Sequence, residues 1–221
     1  MRWGLLNDTR KLDKQLLTMT VQRFVALASP PQNTLPECPA PKLAIDKAKQ
    51  QTVIDKFKLN QSSKILALCP GAEFGPAKRW PTEHYAELAK IKLAEGWQVW
   101  LFGSDKDQTV AAQINQFTNN GCQDFSGQTT LEEAIDLMSL VELVVSNDSG
   151  LMHVAAALDK KLIALYGSSD PGFTPPLNQH AKIIDLNLDC SPCFKRECPL
   201  GHLKCLQDIA PSLVLESIDQ L

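Results

Sequence analysis

Short apolar runs that alternate with helical segments are the feature that most constrains the fold of this chain. From residue 64 onward, the strand-like runs are KILALC (64–69), WQVWLFG (97–103), ELVVSN (142–147) and KLIALYG (161–167). Runs this short and this uniformly apolar are typical of parallel strands buried on both faces. The alternation therefore predicts an α/β fold with a doubly wound, Rossmann-like parallel sheet.

Helices are predicted between and around these strands. Their ranges are 4–28, 44–58, 81–96, 107–119, 130–141, 150–158 and 210–221, and a weaker strand is predicted near 122–127. Thr82 and Thr130 are suited to cap two of these helices, and Gly96 is suited to end one. Five prolines within 29–41 exclude a helix or a central strand there and predict a linker or an extended loop.

The composition excludes several classes of function. The formal net charge is −3 and the pI about 5.8, so no basic surface for nucleic acid is expected. No apolar run approaches the roughly 18–20 residues that a membrane span needs. The polar start MRWGLLNDTRKLDK is unlike a signal peptide or an anchor, so we expect a cytoplasmic protein.

The loops after the predicted strands hold the polar residues that suggest a binding site. Ligands of doubly wound sheets bind outside the carboxyl ends of the strands, where these loops meet. In SNDSG, the N–H groups of Ser149 and Gly150 open a helix and suit a phosphate, whereas Asp148 also suits a plain helix cap. His153 lies one helical turn beyond Ser149. A phosphate cradle and a capped turn both remain open, while the absence of G-x-S-x-G argues against a hydrolase triad.

Two further loops carry charges. PGAEFGPAKRWP places Lys78 and Arg79 after glycines, which suits either phosphate binding or a solvated basic loop anchored by Trp80. FGSDKD offers Asp105 and Asp107 to ribose hydroxyls or to a helix N-terminus. Neither a P-loop nor the G-x-G-x-x-G of a dehydrogenase is present.

Four of the seven cysteines crowd into one segment. Cys190, Cys193, Cys198 and Cys205 follow the pattern C-x2-C-x4-C-x6-C, with His202 inside it. They could ligate zinc or an iron–sulfur cluster, or remain as reduced structural or redox-labile thiols.

Taken together, the loops and the N-terminal GLLNDTRKLDK resemble the type II ADP-heptose:lipopolysaccharide heptosyltransferases, over nearly the whole chain. The resemblance implies a GT-B glycosyltransferase of two Rossmann-like halves that requires no cofactor. Its C-terminal half would bind ADP-L-glycero-D-manno-heptose, the donor for inverting transfer to a heptosyl-Kdo2-lipid A acceptor of the lipopolysaccharide inner core. It also implies that the enzyme acts at the inner face of the inner membrane of a Gram-negative bacterium, with peripheral membrane contact through the acceptor.

The resemblance also assigns residues. It places Lys78 near the donor phosphates, Asp107 at the adenosine ribose and Thr129 near the adenine. The donor sugar and pyrophosphate would meet Asp148, Ser149, Gly150 and His153, and the residues in catalytic roles would be Lys78, Asp148 and His153.

The chain departs from the family pattern at its N-terminus. Members carry a longer first domain with a Gly-rich strand and an Asp that acts as general base. We therefore interpret 1–60 as a remnant of that domain with an interdomain helix and a Pro-rich linker, and 61–221 as the donor-binding domain. We expect binding of ADP or ADP-heptose with little transfer by this chain alone. The competing hypotheses are a non-catalytic nucleotide-binding module and a metal or redox protein built on the cysteines.

Overall fold

The computed structural model describes residues 4–6, 8–28, 30, 34 and 37–221. The predicted loop over 29–41 and the motif GLLNDTRKLDK therefore fall partly outside the described residues. The strands are β1 (Ile65–Cys69), β2 (Gln98–Leu101), β3 (Gln123–Asp124), β4 (Leu143–Asn147), β5 (Lys161–Leu165) and β6 (Ala181–Ile184). The helices are α1 (Thr20–Val25), α2 (Lys47–Phe57), α3 (Thr82–Ala94), α4 (Gln108–Phe117), α5 (Leu131–Met138), α6 (Gly150–Ala157), α7 (Lys204–Gln207) and α8 (Pro211–Asp219).

The strands form one parallel sheet in the order β3-β2-β1-β4-β5-β6. β1 lies at its centre, where Leu66 pairs with Val99 of β2 on one side and with Leu143 of β4 on the other. This order is that of a doubly wound Rossmann sheet, which confirms the predicted fold class. The strand order reverses between β1 and β4, and this reversal opens a crevice at their carboxyl ends.

Helices cover both faces of the sheet. Leu66 and Leu68 of β1 pack with α3, α4 and α8, whereas Ile65 and Ala67 pack with α2, α5 and α6 on the other face. Successive side chains of a strand point to opposite faces, so all five residues of β1 are buried. Burial on both faces explains why the strand is a continuous apolar run.

Most helix ends follow local signals in the sequence. Thr130 caps α5 as predicted: its hydroxyl accepts the N–H of Glu133 at 3.2 Å, and the Glu133 carboxylate accepts the N–H of Thr130 at 3.0 Å. Gly96, at φ +85°, ends α3 as predicted. The prediction for Thr82 is wrong, because Thr82 is the first residue of α3 and no side chain caps that helix.

The predicted helix over 4–28 is shorter in the structure. Only α1 and a 3-10 turn at Ala26–Ala28 are helical among the described residues of that range. The Asp13 side chain accepts the N–H groups of Gln15 and Leu16 at 2.9 and 3.0 Å. Such a local bond satisfies backbone donors in a turn and so competes with a helix.

Two short elements were not predicted. β6 is an edge strand of four residues that pairs with β5 alone, and most of its side chains are partly exposed, so it lacks the apolar run of a central strand. α7 consists of four residues, about one turn. None of the described helices has the length and apolarity to cross a bilayer.

Candidate functional site

A cavity of about 450 Å³ lies at the crevice beside β1. This volume is within the range of small-molecule sites. The loops after β1 and β2 and the N-terminal ends of α5 and α6 line it. Of the predicted site residues, Asp107, Thr129, Ser149 and Gly150 line this cavity.

One part of the cavity wall is apolar. It consists of side chains from the end of β2 and from the first turns of α5 and α6, namely Phe102, Leu131, Ala134, Leu151 and Val154. Thr129 and Thr130 border this patch. Apolar walls with a few polar groups suit a flat ring whose edge carries hydrogen-bonding atoms.

Asp107 is buried beside the cavity with one oxygen free for a ligand. Its Oδ2 accepts the N–H of Ser104 at 2.9 Å and the Ser104 hydroxyl at 2.8 Å. Its Oδ1 accepts no hydrogen bond from the described residues, and its nearest cation is the Arg79 guanidinium at 3.9 Å. The carboxylate therefore stabilises its own turn through one oxygen and leaves the other without a hydrogen bond. Asp105 is exposed and does not line the cavity.

Gly71 leaves the space that the Asp107 carboxylate occupies. A Cβ atom at Gly71 would lie 2.5 Å from the Asp107 Oδ2 atom. A Cβ at Gly103 would likewise lie 2.7 Å from the Asp107 Cβ. The two glycines thus allow the backbone to close around this carboxylate.

The N-terminus of α6 opens into the cavity without a side-chain cap. Ser149 is the N-cap residue, but no side chain accepts the first amides of the helix. The first N–H groups of such a helix need an external acceptor and lie at the positive end of the helix dipole. The interpretation of SNDSG as a simple capped turn is therefore wrong, and the N-terminus is suited to an anion.

Asp148 pairs with Lys78 instead of capping the helix. The Lys78 ammonium lies 2.5 Å from Asp148 Oδ2, and the Ser169 hydroxyl donates to the same oxygen at 2.5 Å. The Lys78 and Asp148 side chains are 17% and 5% exposed, so Lys78 does not belong to a solvated basic loop. The pair holds the ammonium group of Lys78 at the carboxyl end of β4.

Asn147 and Ser169 are site residues that the sequence analysis missed. Asn147 is fully buried: its Oδ1 accepts the N–H of Trp80 and the hydroxyl of Tyr85, both at 3.0 Å. Its Nδ2 donates to the carbonyl of Pro70 at 2.8 Å. These bonds fix the loop that carries Lys78 onto β4. A polar residue at the end of an apolar strand was the available signal, because a buried amide needs partners.

His153 does not line the first cavity. It lines a second cavity of about 320 Å³, formed mainly by apolar residues of α1 and of the loop after β5. Burial lowers the pKa of His153, an effect that Asp148 opposes and Lys78 reinforces. The imidazole is therefore neutral near pH 7 and has one donor and one acceptor nitrogen.

The four clustered cysteines also meet in space. Cys190, Cys193, Cys198 and Cys205 line one small cavity together with His202. As placed, no three His, Cys, Asp or Glu side chains of the described part of the chain form a group that could hold a metal ion.

Comparison with known proteins places these features in a family. The model for glycosyltransferase family 9 (heptosyltransferase) matches residues 1–204. Over the whole chain, identity is 43% to lipopolysaccharide heptosyltransferase 2 of Salmonella typhimurium and 42% to lipooligosaccharide heptosyltransferase 2 of Haemophilus influenzae. The solved structure of E. coli ADP-heptose lps heptosyltransferase II superposes with a TM-score of 0.86 at 42% identity and over 100% of this chain. The chain spans 66% of the Salmonella and E. coli proteins and 67% of the Haemophilus protein.

Proposed function

Because the chain belongs to glycosyltransferase family 9, the heptosyltransferases, we propose that it binds ADP-L-glycero-D-manno-heptose and forms the donor-binding half of a lipopolysaccharide heptosyltransferase. One observation carries this proposal. The uncapped N-terminus of α6 and the buried Asp107 carboxylate line one cavity at the switch point of the sheet, and the Lys78 ammonium is held at Asp148, the residue before Ser149. A helix N-terminus and an ammonium group suit the diphosphate, and a carboxylate suits the ribose hydroxyls, so together they fit a nucleoside diphosphate.

The nucleotide would lie along the crevice from β2 to β4. The adenine would pack on the apolar patch near Thr129, and a ribose hydroxyl would donate to Oδ1 of Asp107. The diphosphate would accept the amides that begin α6, after Ser149, and meet Lys78. The heptose would then extend past Asp148 toward His153 and the second cavity.

In this arrangement the chain acts on the leaving group. During inverting transfer the acceptor hydroxyl forms a bond to the anomeric carbon while the bond from that carbon to the diphosphate oxygen breaks. Negative charge grows on the departing ADP, and the α6 amides and Lys78 stabilise it. Asp148, with Ser169, orients the Lys78 ammonium. The neutral His153 is placed to hydrogen-bond the sugar.

The acceptor and the place of action follow from the same proposal. We infer that the acceptor is a heptosyl-Kdo2-lipid A and that the proton of its hydroxyl is taken by a base outside this domain. We assign residues 1–60 to the segment that joins the two halves and 61–221 to the donor domain. Contact with the inner face of the inner membrane would then come through the lipid acceptor.

ADP titration by calorimetry tests the nucleotide site. We expect saturable binding by the wild type and a loss of about tenfold or more in the Asp107→Ala variant, because a charge-assisted hydrogen bond contributes about 1.5–3 kcal/mol. Equal affinities would contradict the ribose assignment. ADP-heptose should compete with ADP, whereas UDP should bind more weakly if the apolar patch holds adenine.

A complementation assay separates an enzyme from a non-catalytic nucleotide-binding module. The chain is mixed with the N-terminal third of the Salmonella relative, and heptose transfer to purified acceptor is measured. Transfer by the mixture but not by either part supports the proposed division of labour. Inactivity with intact ADP binding would favour the module, and rapid transfer by the 221-residue chain alone would contradict an external base.

A further inference from the structure

The cysteine segment, residues 190–205, brings four thiols to one point of the fold. All four line a cavity of about 20 Å³, roughly the space that one water molecule occupies. Cys190, Cys193 and Cys198 are partly exposed, whereas Cys205 is buried. Small reagents can therefore reach three of the thiols.

Cys198 differs from its neighbours in its surroundings. The backbone N–H groups of the turn that follows it, above all that of Leu203, favour the charged form of its thiol. These donors lower the pKa of the Cys198 thiol, so they favour the nucleophilic thiolate. Burial and the other three thiols raise the pKa of Cys205 to about 11. The cluster thus combines one activated thiol, Cys198, with a buried thiol, Cys205, that remains protonated near pH 7.

The cysteine segment also supports the loop that carries Lys78. The carbonyl of Arg196 accepts the N–H of Ala77 at 3.0 Å. The approach is so close that a Cβ at Gly75 would lie 2.5 Å from the same carbonyl oxygen. Any shift of residue 196 is therefore transmitted to the turn that ends at Lys78.

The same segment is bonded to the loop that carries Ser169. The N–H of Phe194 donates to the carbonyl of Ser168 at 2.7 Å, and the Ser191 hydroxyl donates to the carbonyl of Gly167. The cysteine segment thus supports the loop of Lys78 directly and reaches Asp148 through the loop of Ser169, whose hydroxyl donates to the Asp148 carboxylate. A change in the covalent state of the cysteine segment can therefore alter the geometry of the crevice through these backbone contacts.

We propose that the cysteine segment is a thiol-oxidation site whose disulfide form weakens nucleotide binding. The oxidant class is a low-molecular-weight disulfide such as glutathione disulfide. The Cys198 thiolate attacks one sulfur of the oxidant, the oxidant's S–S bond breaks, and one small thiolate leaves with the electron pair. A second thiol, from Cys190 or Cys193, then loses its proton to solvent and attacks the Cys198 sulfur. The second small thiolate leaves, so the protein is oxidised by two electrons and the oxidant is reduced to two thiols.

The effect on the crevice follows from disulfide geometry. A disulfide requires Cα atoms about 4.4–6.8 Å apart and a dihedral near 90°, so its formation repositions the residues on either side of Arg196. The effect on ADP rests on the proposed function, whereas the thiol chemistry does not. We expect about a tenfold loss of ADP affinity, within the usual range of coupling between sites.

The experiment uses the full chain, reduced and then exposed to glutathione disulfide. Peptide mapping by mass spectrometry should find a disulfide between Cys198 and Cys190 or Cys193. Calorimetry should find weaker ADP binding that dithiothreitol restores. The Cys198→Ser variant should resist both changes, while Cys38→Ser, which removes a partly exposed thiol outside the segment, should behave like the wild type.

Several outcomes would overturn the proposal. An unmodified segment under conditions that oxidise a control dithiol would exclude the reactive site, and so would stoichiometric zinc or iron in protein purified under reducing conditions. A mapped disulfide with unchanged ADP affinity would exclude the coupling. If the reduced protein does not bind ADP at all, the proposed function fails, while the mapped disulfide still decides the thiol chemistry.

Discussion

Replacing Gly71 by Ala should impair ribose recognition without removing any group that contacts the ligand. The new Cβ would lie 2.5 Å from both Cγ and Oδ2 of Asp107 and 2.6 Å from its Oδ1. Gly103 also lies close to Asp107, since a Cβ there would be 2.7 Å from the Asp107 Cβ. The side chain must therefore turn away from its present position and lose its bonds to Ser104.

The magnitude follows from the bond that the ligand loses. A hydrogen bond to a charged group contributes about 1.5–3 kcal/mol, so ADP should bind roughly 10- to 150-fold more weakly to Gly71→Ala. If the substitution acts only through Asp107, the double variant with Asp107→Ala should be no weaker than Asp107→Ala alone. Such complete non-additivity is expected when two substitutions remove the same contact with the ligand.

Calorimetric titration of ADP and of 2′,3′-dideoxy-ADP measures this directly. The wild type should prefer ADP, whereas Gly71→Ala, Asp107→Ala and the double variant should bind the two ligands alike. The reasoning is refuted if Gly71→Ala keeps the wild-type preference for ADP. Additive losses in the double variant would show that Gly71 acts on the ligand by another route.

Three further predictions concern the neighbouring residues. Lys78→Ala should weaken ADP binding about tenfold or more but leave adenosine binding unchanged, because the diphosphate is the only part of ADP that would meet the lost charge; equal losses for both ligands in calorimetry would contradict this. The pKa of His153 is lowered, so the unfolded state binds more protons at acid pH and the free energy of unfolding should fall as the pH drops below about 6.5. Urea unfolding at pH 7.5 and 5.5 should show a smaller fall in the free energy of unfolding for His153→Gln than for the wild type. An identical fall would show that His153 does not contribute to the pH dependence of stability. Asn147→Ala should lower the free energy of unfolding by about 3 kcal/mol, since three buried hydrogen bonds of about 1 kcal/mol each are lost, and an unchanged urea midpoint would argue against that role.

The sheet could be predicted because its information is local. The run at Ile65–Cys69 is apolar since both faces are covered, and Thr130 with Glu133 marks the start of α5 within four residues. The edge strand Ala181–Ile184 was missed because partial exposure removes the apolar pattern on which recognition depends. The polar loops were correctly located at one edge, since that follows from the parallel order of the strands.

The partners of the site residues could not be predicted, because they are distant in sequence. From the sequence, Asp148 is a plausible helix cap. In the structure its carboxylate instead accepts a hydrogen bond from Lys78, seventy positions earlier. The hydrogen-bond partners of Asn147 were equally hidden, because the strand pattern indicates that the residue is buried but does not identify the groups that it contacts. The roles of Asp107, Thr129 and His153 remain predictions that the ligand titrations decide.

The position of β1 between β2 and β4 has a consequence for synthesis on the ribosome. Leu66 pairs with Val99 early, but its other neighbour, Leu143, emerges only after two more helices have been made. At about 5–20 residues per second, several seconds separate the two pairings. Throughout that interval the nascent chain presents an unpaired edge of the sequence ILALC, which can pair with another chain. The time available for aggregation thus depends on the speed of translation through residues 102–143. It does not depend on the stability of the finished sheet.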